Sequence, residues 1–472
     1  MTVAPKLSLP PIIQGGMGMG VSSWQLAGRV ASKGQMGVVS GTAIERLLAC
    51  RLQEGDANGA MRQALAAFPD RELAMRVQST WFRAAGLPGP GVYRPLQLFT
   101  HTPSRELLEL TVCAAFAEVW LAKQQAADGG LVGINLLEKI RAPTLPVLYG
   151  ALLAGVDVVL MGAGIPREIP GHLEHLSRHE ATALRIPVAG GEALAATFDP
   201  QALLTVFPVL KRPLFFAVIA SDVLAISLAR SGGVDGFIVE GPTAGGHNAP
   251  PRGGAVDANG TPLYGPRDVP DLDRIRLVGL PFWLAGGMAS PAALAAARQL
   301  GATGVQIGTA FAFCEQSGMA QPLRDAVRAH AATLPVITDG RASPTGFPFK
   351  LVPAPGTEGS RDASCRTRRT CSAGYLREAF AKVDGSIGWR CASEPTEHFV
   401  AKGGDAAESA GRRCLCHGLL AAAGHAHATG SGDDVELALI TAGDDLANIG
   451  RYGETYDADA VIDDLLTTTV LS

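Results

Sequence analysis

The chain is poor in aromatic and charged residues. Among its 472 residues, 6% are aromatic and 18% are charged, whereas 47% are hydrophobic. The core must therefore consist mainly of aliphatic side chains and alanine, and a chain of this composition is expected to be globular. The 40 basic and 44 acidic residues give a net charge of −4. Without an excess of positive charge, neither nucleic acid nor a membrane surface is an expected partner.

The sequence has no long uninterrupted apolar run, and its first residues do not resemble a secretory leader. The two most apolar windows, residues 145–166 and 213–229, are interrupted by Asp157 and Asp222, so neither is typical of a membrane span of about 20 apolar residues. The first ten residues contain no basic segment followed by an apolar run, which predicts a cytoplasmic protein. Eight cysteines in a chain of this length do not indicate a disulfide scaffold.

Two common nucleotide-binding motifs are missing. The pattern G-x-G-x-x-G would need glycine at position 21 after Gly16-Met17-Gly18, but Val21 stands there. After Gly162-Ala163-Gly164 it would need glycine at position 167, where Arg167 stands. The pattern G-x-x-x-x-G-K-[ST] does not occur either. The sequence therefore argues against a dinucleotide-binding doubly wound fold and against nucleotide triphosphate hydrolysis.

The sequence does contain a repeated alternation of short apolar runs, glycine-rich corners and Ala/Leu-rich helical stretches over its first two thirds. Several runs are continuously apolar, which is typical of strands covered on both faces in a parallel sheet. Nine strands are predicted, one more than a closed eight-stranded barrel holds, and Ile186–Ala189 or Gly37–Ser40 is the weakest. The others are Pro11–Gln14, Gly130–Leu136, Val156–Met161, Leu214–Ile219, Gly236–Glu240, Phe282–Ala285 and Gly304–Ile307.

The predicted fold is α/β, a (β/α)₈ TIM barrel with a helical insertion and a C-terminal extension that contains cysteines. We expect the barrel over residues 1–349, with the insertion at about 43–129 and a helix capped by Ser104 within it. Residues 350–432 form the cysteine-containing extension. Residues 433–472 form an acidic helical segment, whose apolar positions at helical spacing need a surface to dock on.

Glycine-rich corners follow several predicted strands, and in a barrel these corners lie on the carboxyl-terminal rim, where active sites of this architecture are found. Gly286-Gly287 precedes a helix start at Ser290-Pro291, and Gly308-Thr309 precedes another apolar helical stretch. Main-chain N–H groups at two such corners can bind a phosphomonoester without lysine. The alternative is that glycine only permits tight turns.

The order of these segments resembles the flavin-dependent nitronate monooxygenase (2-nitropropane dioxygenase) family and its relatives, the flavin-containing enoyl-acyl-carrier-protein reductases. The resemblance covers about residues 11–346. The matching segments are Pro11–Gly18, Val132–Asn135, Gly162–Pro166, Glu240–His247, Leu284–Met288 and Gly304–Thr309.

The resemblance implies FMN on the barrel rim. It places Gly15, Gly16, Met17 and Gly18 against the isoalloxazine, and Asn135 at the flavin ring system. It also places Gly286, Gly287, Gln306, Gly308 and Thr309 around the phosphate, with Gly162, Gly245 and Gly246 among the other cofactor-binding residues. His247, which the family motif Ala-Gly-Gly-His matches, is implied as the catalytic base. A histidine on a rim loop can accept a proton near neutral pH.

Two functions follow from the resemblance, and a third, non-catalytic one stays open beside them. The first is oxidation of alkyl nitronates or nitroalkanes with O₂ to carbonyl compounds and nitrite. The second is enoyl-acyl-carrier-protein reduction with NAD(P)H and FMN, because Gln14-Gly15-Gly16-Met17 is similar to the reductase form; an acyl carrier protein or a synthase complex would then be the partner. The third is a non-catalytic flavin-binding subunit. Whether the chain forms a homo-oligomer stays open.

Five cysteines cluster in the extension, at Cys365, Cys371, Cys391, Cys414 and Cys416. Four thiolates could hold Zn²⁺ or an iron–sulfur cluster, although the spacing differs from a C-x₂-C ribbon. Buried structural thiols and a redox pair are the alternatives. Cys50, Cys113 and Cys314 stand singly among apolar residues and are predicted to fill the core.

Overall fold

The computed structural model describes residues 8–258, 260–361, 371–429 and 434–467. Its strands, in chain order, are β1 (Ile12–Gln14), β2 (Met36–Ser40), β3 (Leu131–Leu137), β4 (Val158–Gly162), β5 (Thr182–Ile186), β6 (Val188–Ala189), β7 (Leu194–Phe198), β8 (Leu214–Ile219), β9 (Gly236–Glu240), β10 (Phe282–Ala285), β11 (Gly304–Ile307), β12 (Ile337–Asp339), β13 (Phe349–Leu351), β14 (Glu378–Ala381) and β15 (Ile387–Arg390).

The α-helices are α1 (Trp24–Ser32), α2 (Ile44–Gln53), α3 (Ala60–Ala67), α4 (Arg71–Trp81), α5 (Arg105–Lys123), α6 (Thr144–Leu153), α7 (Ile169–Ser177), α8 (Pro200–Leu203), α9 (Asp222–Ser231), α10 (Leu272–Arg276), α11 (Pro291–Gln299), α12 (Thr309–Ala312), α13 (Gln321–His330), α14 (Thr396–Ala401), α15 (Ala406–Ser409), α16 (Leu415–Ala422) and α17 (Ala458–Leu466). Short 3₁₀ helices cover Pro266–Asp268, Glu358–Ser360 and Leu446–Tyr452. Within the described ranges, no helix combines the length and the apolarity needed to cross a bilayer.

Eight parallel strands close into a barrel in the order β1-β11-β10-β9-β8-β4-β3-β2. The last strand therefore pairs with the first, with Ile12 opposite Val305 and Gln14 opposite Ile307. Helices alternate with these strands around the outside, so the prediction of a (β/α)₈ TIM barrel is confirmed.

Of the two weak strand predictions, Gly37–Ser40 is correct and Ile186–Ala189 is wrong as a barrel strand. Residues 182–186 pair antiparallel with β7, and residues 188–189 add to the β14–β15 hairpin. Both small sheets lie outside the barrel. In β5 and β7 buried and exposed residues alternate, whereas all five residues of the barrel strand β4 are buried. That difference separates a one-sided surface sheet from a strand covered on both faces.

The core has two layers. Alternate residues of seven of the barrel strands, β11 being the exception, point inward and form a small interior cluster that includes Val158, Leu160, Phe216 and Trp283. The residues between them, such as Val159, point outward against the helices and belong to the larger core. Because a strand alternates its side chains between two faces, both sets must be apolar when both faces are covered.

Helix α5 is the main helix between β2 and β3 and packs against α1, α2 and α6. It begins after Ser104, whose hydroxyl accepts a hydrogen bond from the Leu107 N–H group at 3.3 Å, as predicted for a capping serine. The shorter helices α3 and α4 pack on its outer side. Residues 44–123 therefore cover one flank of the barrel.

The C-terminal residues return to the barrel. Helix α17 packs against α1, α11 and α12, with Val461, Ile462 and Leu465 almost fully buried. On its acidic face, Asp459 accepts a hydrogen bond from Arg29 Nε of α1 at 2.7 Å and lies 3.1 Å from Nζ of Lys33, the residue that follows α1. Apolar burial and surface ion pairs together hold this helix on the barrel wall.

Candidate functional site

A cavity of about 240 Å³ opens at the carboxyl-terminal ends of the barrel strands. Residues from the loops after β1, β3, β4, β9, β10 and β11 line it. The structure brings every sequence-predicted cofactor and catalytic residue to this one cavity: Gly15, Gly16, Met17, Gly18, Asn135, Gly162, Gly245, Gly246, His247, Gly286, Gly287, Gln306, Gly308 and Thr309. These residues span almost 300 positions of the chain, and barrel closure is what makes them neighbours.

The loop after β1 is held in shape by buried polar side chains. Gln14 is fully buried; its Nε2 donates to Ser22 Oγ at 2.8 Å, and its Oε1 accepts from the Val38 N–H group at 3.0 Å. Ser22 Oγ also accepts from the Met17 N–H group at 2.8 Å. These bonds compensate for the desolvation of the groups involved and keep the loop at the cavity wall.

Gly16 leaves no room for a side chain. A Cβ atom at this position would lie 2.2 Å from the Cβ atom of Asn135, and Asn135 Nδ2 donates to the Gly16 carbonyl at 3.1 Å. The close approach of loop and side chain fixes both at the cavity.

The two corners predicted to bind phosphate lie side by side, because β10 and β11 are hydrogen-bonded neighbours. Gly286 and Gly287 have φ values of +97° and +67°, a region that favours glycine. After them, the Ser290 hydroxyl accepts from the Ala293 N–H group at 3.1 Å and begins α11, as predicted. The main-chain groups of both corners thus line the same end of the cavity.

His247 lies on the loop after β9, against the strand β13. Its Nε2 atom lies 2.7 Å from Ser343 Oγ, and its ring meets the Phe349 ring edge-on with centroids 4.8 Å apart. Burial lowers the pKa of His247 to about 4, so the imidazole is neutral at neutral pH. Sequence reasoning missed Ser343, which is separated from His247 by 96 positions.

Glu240, the last residue of β9, is a second titratable group that sequence reasoning quoted only within a motif. Burial raises its pKa to about 8, so the carboxyl group carries a proton at neutral pH. Glu240 and His247 both line the first cavity and also a second one of about 270 Å³ beside it. Opposite pKa shifts in one site are typical of an acid and a base.

A segment from the C-terminal part of the chain completes the first cavity. Its lining residues are Leu439, Thr441, Ala442, Gly443 and Asp445. We call this stretch the 439–445 segment. No motif in the sequence pointed to it, because its contacts with the rim join positions more than 100 residues apart.

The cysteine cluster lies partly outside the described residues, because Cys365 falls between the ranges ending at 361 and starting at 371. Cys391 is buried and Cys414 is half-buried. A hydrogen bond from the Cys391 thiol lowers the pKa of Cys371 to about 6. Burial raises the pKa of Cys416 to about 12. Among the residues that the structure describes, no group of three or more His, Cys, Asp or Glu side chains could hold a metal ion, so the Zn²⁺ or iron–sulfur prediction gains no support there.

The single cysteines behave as predicted. Cys50, Cys113 and Cys314 are buried and unpaired, with at most 1% of each residue exposed. Burial raises the pKa of each of the three thiols, which keeps them protonated and unreactive.

A closed parallel barrel with a glycine-lined cavity on its carboxyl-terminal rim defines a TIM-barrel protein with a small-molecule site. Residues 182–338 match the family model described as nitronate monooxygenase, a stretch that contains Glu240, His247 and both corners predicted to bind phosphate. The resemblance to the nitronate monooxygenase family is thereby confirmed over this part of the barrel.

Curated relatives cover a part of the chain. A nitronate monooxygenase of Pseudomonas aeruginosa is 35% identical over 135 residues, which are 26% of this chain and 35% of the relative. A probable nitronate monooxygenase of Staphylococcus saprophyticus is 35% identical over 113 residues, 23% of this chain and 30% of the relative. The chain thus spans about a third of the length of these relatives.

Solved structures similar to this chain include FabK from Thermotoga maritima, at 16% identity and a TM-score of 0.49, covering 97% of this chain and 91% of that one. A nitroalkane oxidase from Streptomyces ansochromogenes is 14% identical with a TM-score of 0.46, covering 97% and 96%.

Proposed function

We propose that this chain is an FMN-dependent oxidoreductase that oxidises alkyl nitronates, or the parent nitroalkanes, with O₂ to carbonyl compounds and nitrite. The observation that carries the proposal is the convergence of all fourteen predicted residues on one cavity, with His247 half-buried and its imidazole neutral in the lining. The family match over residues 182–338 supports the same reaction class.

The residues that line the cavity fit a flavin. The corners at Gly286-Gly287 and Gly308-Thr309 offer main-chain N–H groups, which suit a phosphate. The lining also includes the apolar side chains of Met17, Val21, Met319 and Leu419, which suit a flat ring system. Bound there, FMN would supply the electron transfer between substrate and O₂.

His247 would remove the α-proton of a neutral nitroalkane. Ser343 Oγ lies 2.7 Å from Nε2 and accepts a hydrogen bond from the Thr345 N–H group at 3.2 Å. If Nε2–H donates to Ser343, Nδ1 is the ring nitrogen that takes the proton. Burial keeps the ring neutral before the substrate arrives, and the proton then converts it to the imidazolium.

Glu240 would act as a donor to the oxygen atoms of the nitro or nitronate group. Its carboxyl group lines both cavities. Because its pKa is raised to about 8, it keeps its proton at neutral pH. Negative charge grows on the nitro oxygens as the α-carbon loses its proton, so a hydrogen bond from a neutral carboxyl group lowers the barrier of that step.

The test follows the chromophore of the purified protein. We expect a bound yellow compound with the mass of FMN, and we expect an anionic nitronate to bleach it in the absence of O₂. A colourless protein that does not take up added FMN would exclude the proposal.

Enoyl reduction is the second candidate, favoured by the Gln14-Gly15-Gly16-Met17 stretch and by the second cavity next to His247, which offers room for an acyl substrate. In that case NADH or NADPH bleaches the flavin and the nitronate does not, and an acyl carrier protein would be the partner. Bleaching by neither reagent would favour a flavin-binding subunit without turnover.

A further inference from the structure

The 439–445 segment is tied to the barrel rim by main-chain and side-chain hydrogen bonds. The Gly246 N–H group donates to Thr441 Oγ1 at 2.8 Å, and the Asp444 N–H group donates to the Thr243 carbonyl at 3.0 Å. The Gly443 N–H group donates to Thr309 Oγ1 at 2.9 Å. The segment therefore touches one of the two corners predicted to hold the flavin phosphate.

The approach is too close for any other residue at position 443. A Cβ atom on Gly443 would lie 2.8 Å from the Thr243 carbonyl oxygen, 2.8 Å from Asp445 Oδ1 and 3.0 Å from Thr309 Oγ1. The carboxyl group of Asp445 is thus held beside the Thr309 hydroxyl, with which it interacts by a side-chain hydrogen bond. Asp445, Thr309, Gly286 and Gly287 line the same cavity.

The charged groups around Asp445 do not neutralise it. Burial is the main cause that raises its pKa and outweighs the hydrogen bond with Thr309, which lowers it. The neighbouring Asp444 carboxylate acts in the same direction as burial. Arg451 lowers the pKa, but its guanidinium is engaged with Asp464 Oδ2 at 2.6 Å. Lys350 Nζ is bound to Asp444 Oδ1 at 2.6 Å.

An ionised carboxylate repels a phosphate in a poorly hydrated cavity, whereas a protonated carboxyl group can donate a hydrogen bond to it. We infer that Asp445 is a cofactor-site residue that must be protonated when a phosphate-bearing flavin binds, so that binding of FMN takes up one proton. This inference rests on the proposed function, because it takes the phosphate to lie at Gly286-Gly287 and Gly308-Thr309.

The experiment measures the dissociation constant of FMN from the flavin-free protein, by quenching of flavin fluorescence, from about pH 6.5 to about pH 8.5. In this range the FMN phosphate is already mostly a dianion, because its second pKa is about 6. Binding linked to uptake of one proton weakens by up to about tenfold for each pH unit. Calorimetry in two buffers of different ionisation enthalpy reports the proton uptake directly.

Variants and a second ligand locate the effect. Asp445→Asn keeps the size of the side chain and removes its charge, so FMN should bind more tightly than to the wild type, and equally at all pH values of the range. Riboflavin has no phosphate and should show little pH dependence with either protein. Asp128→Asn, which removes an exposed charge away from the cavity, should behave as the wild type.

The outcomes separate this inference from the proposed function. If FMN binds the wild type with the same affinity across the range and without proton uptake, the inference is wrong and the flavin site stands. If riboflavin shows the same pH dependence as FMN, Asp445 does not face the phosphate and the inference is again wrong. Failure of both flavins to bind the wild type and Asp445→Asn overturns the flavin site itself, and the inference with it.

Discussion

The imidazole of His247 and the hydroxyl of Ser343 are joined by a hydrogen bond of 2.7 Å. Ser343 is fully buried and is itself held by Thr345, through the Thr345 N–H group at 3.2 Å and its hydroxyl at 2.8 Å. Residues after the last barrel strand therefore orient a residue of the loop after β9. This fixed orientation is what a proton-transfer residue requires.

Replacement of His247 should separate two substrates. His247→Asn removes the base, so we expect turnover of a neutral nitroalkane to fall by about 100-fold or more, while a preformed nitronate, which has already lost its α-proton, keeps most of its rate. Steady-state rates with both substrates test this. The exposed His330 offers a control, His330→Asn, that should change neither rate. Equal losses with both substrates would contradict a role as base.

The acid limb of the wild-type pH profile is a related prediction. The neutral form of His247 is the active base, and its pKa is lowered to about 4. Activity on a nitroalkane should therefore persist well below the ordinary histidine value of about 6.5 and decline only as the pH approaches 4. A decline centred near 6.5 would mean that the ring is not desolvated in solution.

Glu240 should make the folded protein less stable as the pH rises. Its pKa in the folded state is about 8, against about 4.3 in an unfolded chain, so the folded state binds the extra proton between these values. Stability is then highest toward the lower value and is lost as the pH rises through 8. Glu240→Gln removes this dependence. The difference in melting temperature, variant minus wild type, should therefore increase as the pH is raised from about 5 to about 8.

The exposed Glu192 provides the comparison for this series. Glu192→Gln should show a constant, small difference from the wild type over the same pH range. A constant difference for Glu240→Gln as well would show that its carboxyl group ionises normally.

Gly16 should not tolerate alanine. A Cβ atom there would lie 2.2 Å from Asn135 Cβ, so loop and side chain must move apart, at a cost of about 1–3 kcal/mol for overpacking. We expect Gly16→Ala to weaken FMN binding by about tenfold or more, measured by fluorescence quenching. Gly171→Ala, in helix α7 with no atom near the added methyl group, should bind FMN as the wild type does and be slightly more stable.

Lys350 should hold the 439–445 segment in place. Lys350 is only 1% exposed. Its Nζ donates hydrogen bonds to Thr338 Oγ1 at 2.7 Å and to Asp444 Oδ1 at 2.6 Å. Lys350→Met leaves both partners without this donor, and we expect a loss of about 1–3 kcal/mol in the free energy of unfolding. Hydrogen exchange of the 439–445 segment should become faster. The control variant Lys211→Met, at an exposed position, should leave this exchange rate unchanged. Unchanged exchange in Lys350→Met would contradict the anchoring role.

Local features of the sequence were sufficient to predict most of the barrel and one face of its cavity. Continuous apolar runs identified β4, because both of its faces are covered, and Ser104 and Ser290 marked helix starts through bonds within three residues. The prediction failed at Ile186–Ala189, because an apolar stretch in a surface sheet has the same local composition as one in a barrel strand.

By itself, the sequence determined the alternation of strands and helices and the glycine corners, because these depend on backbone geometry within a few residues. Only the tertiary structure decided which eight of the nine predicted strands form the barrel. It also decided that Ser343 orients His247 and that the 439–445 segment completes the cavity. The opposite pKa shifts of Glu240 and His247 also belong to the fold. Desolvation depends on all the atoms packed around a group, and those atoms come from distant parts of the chain.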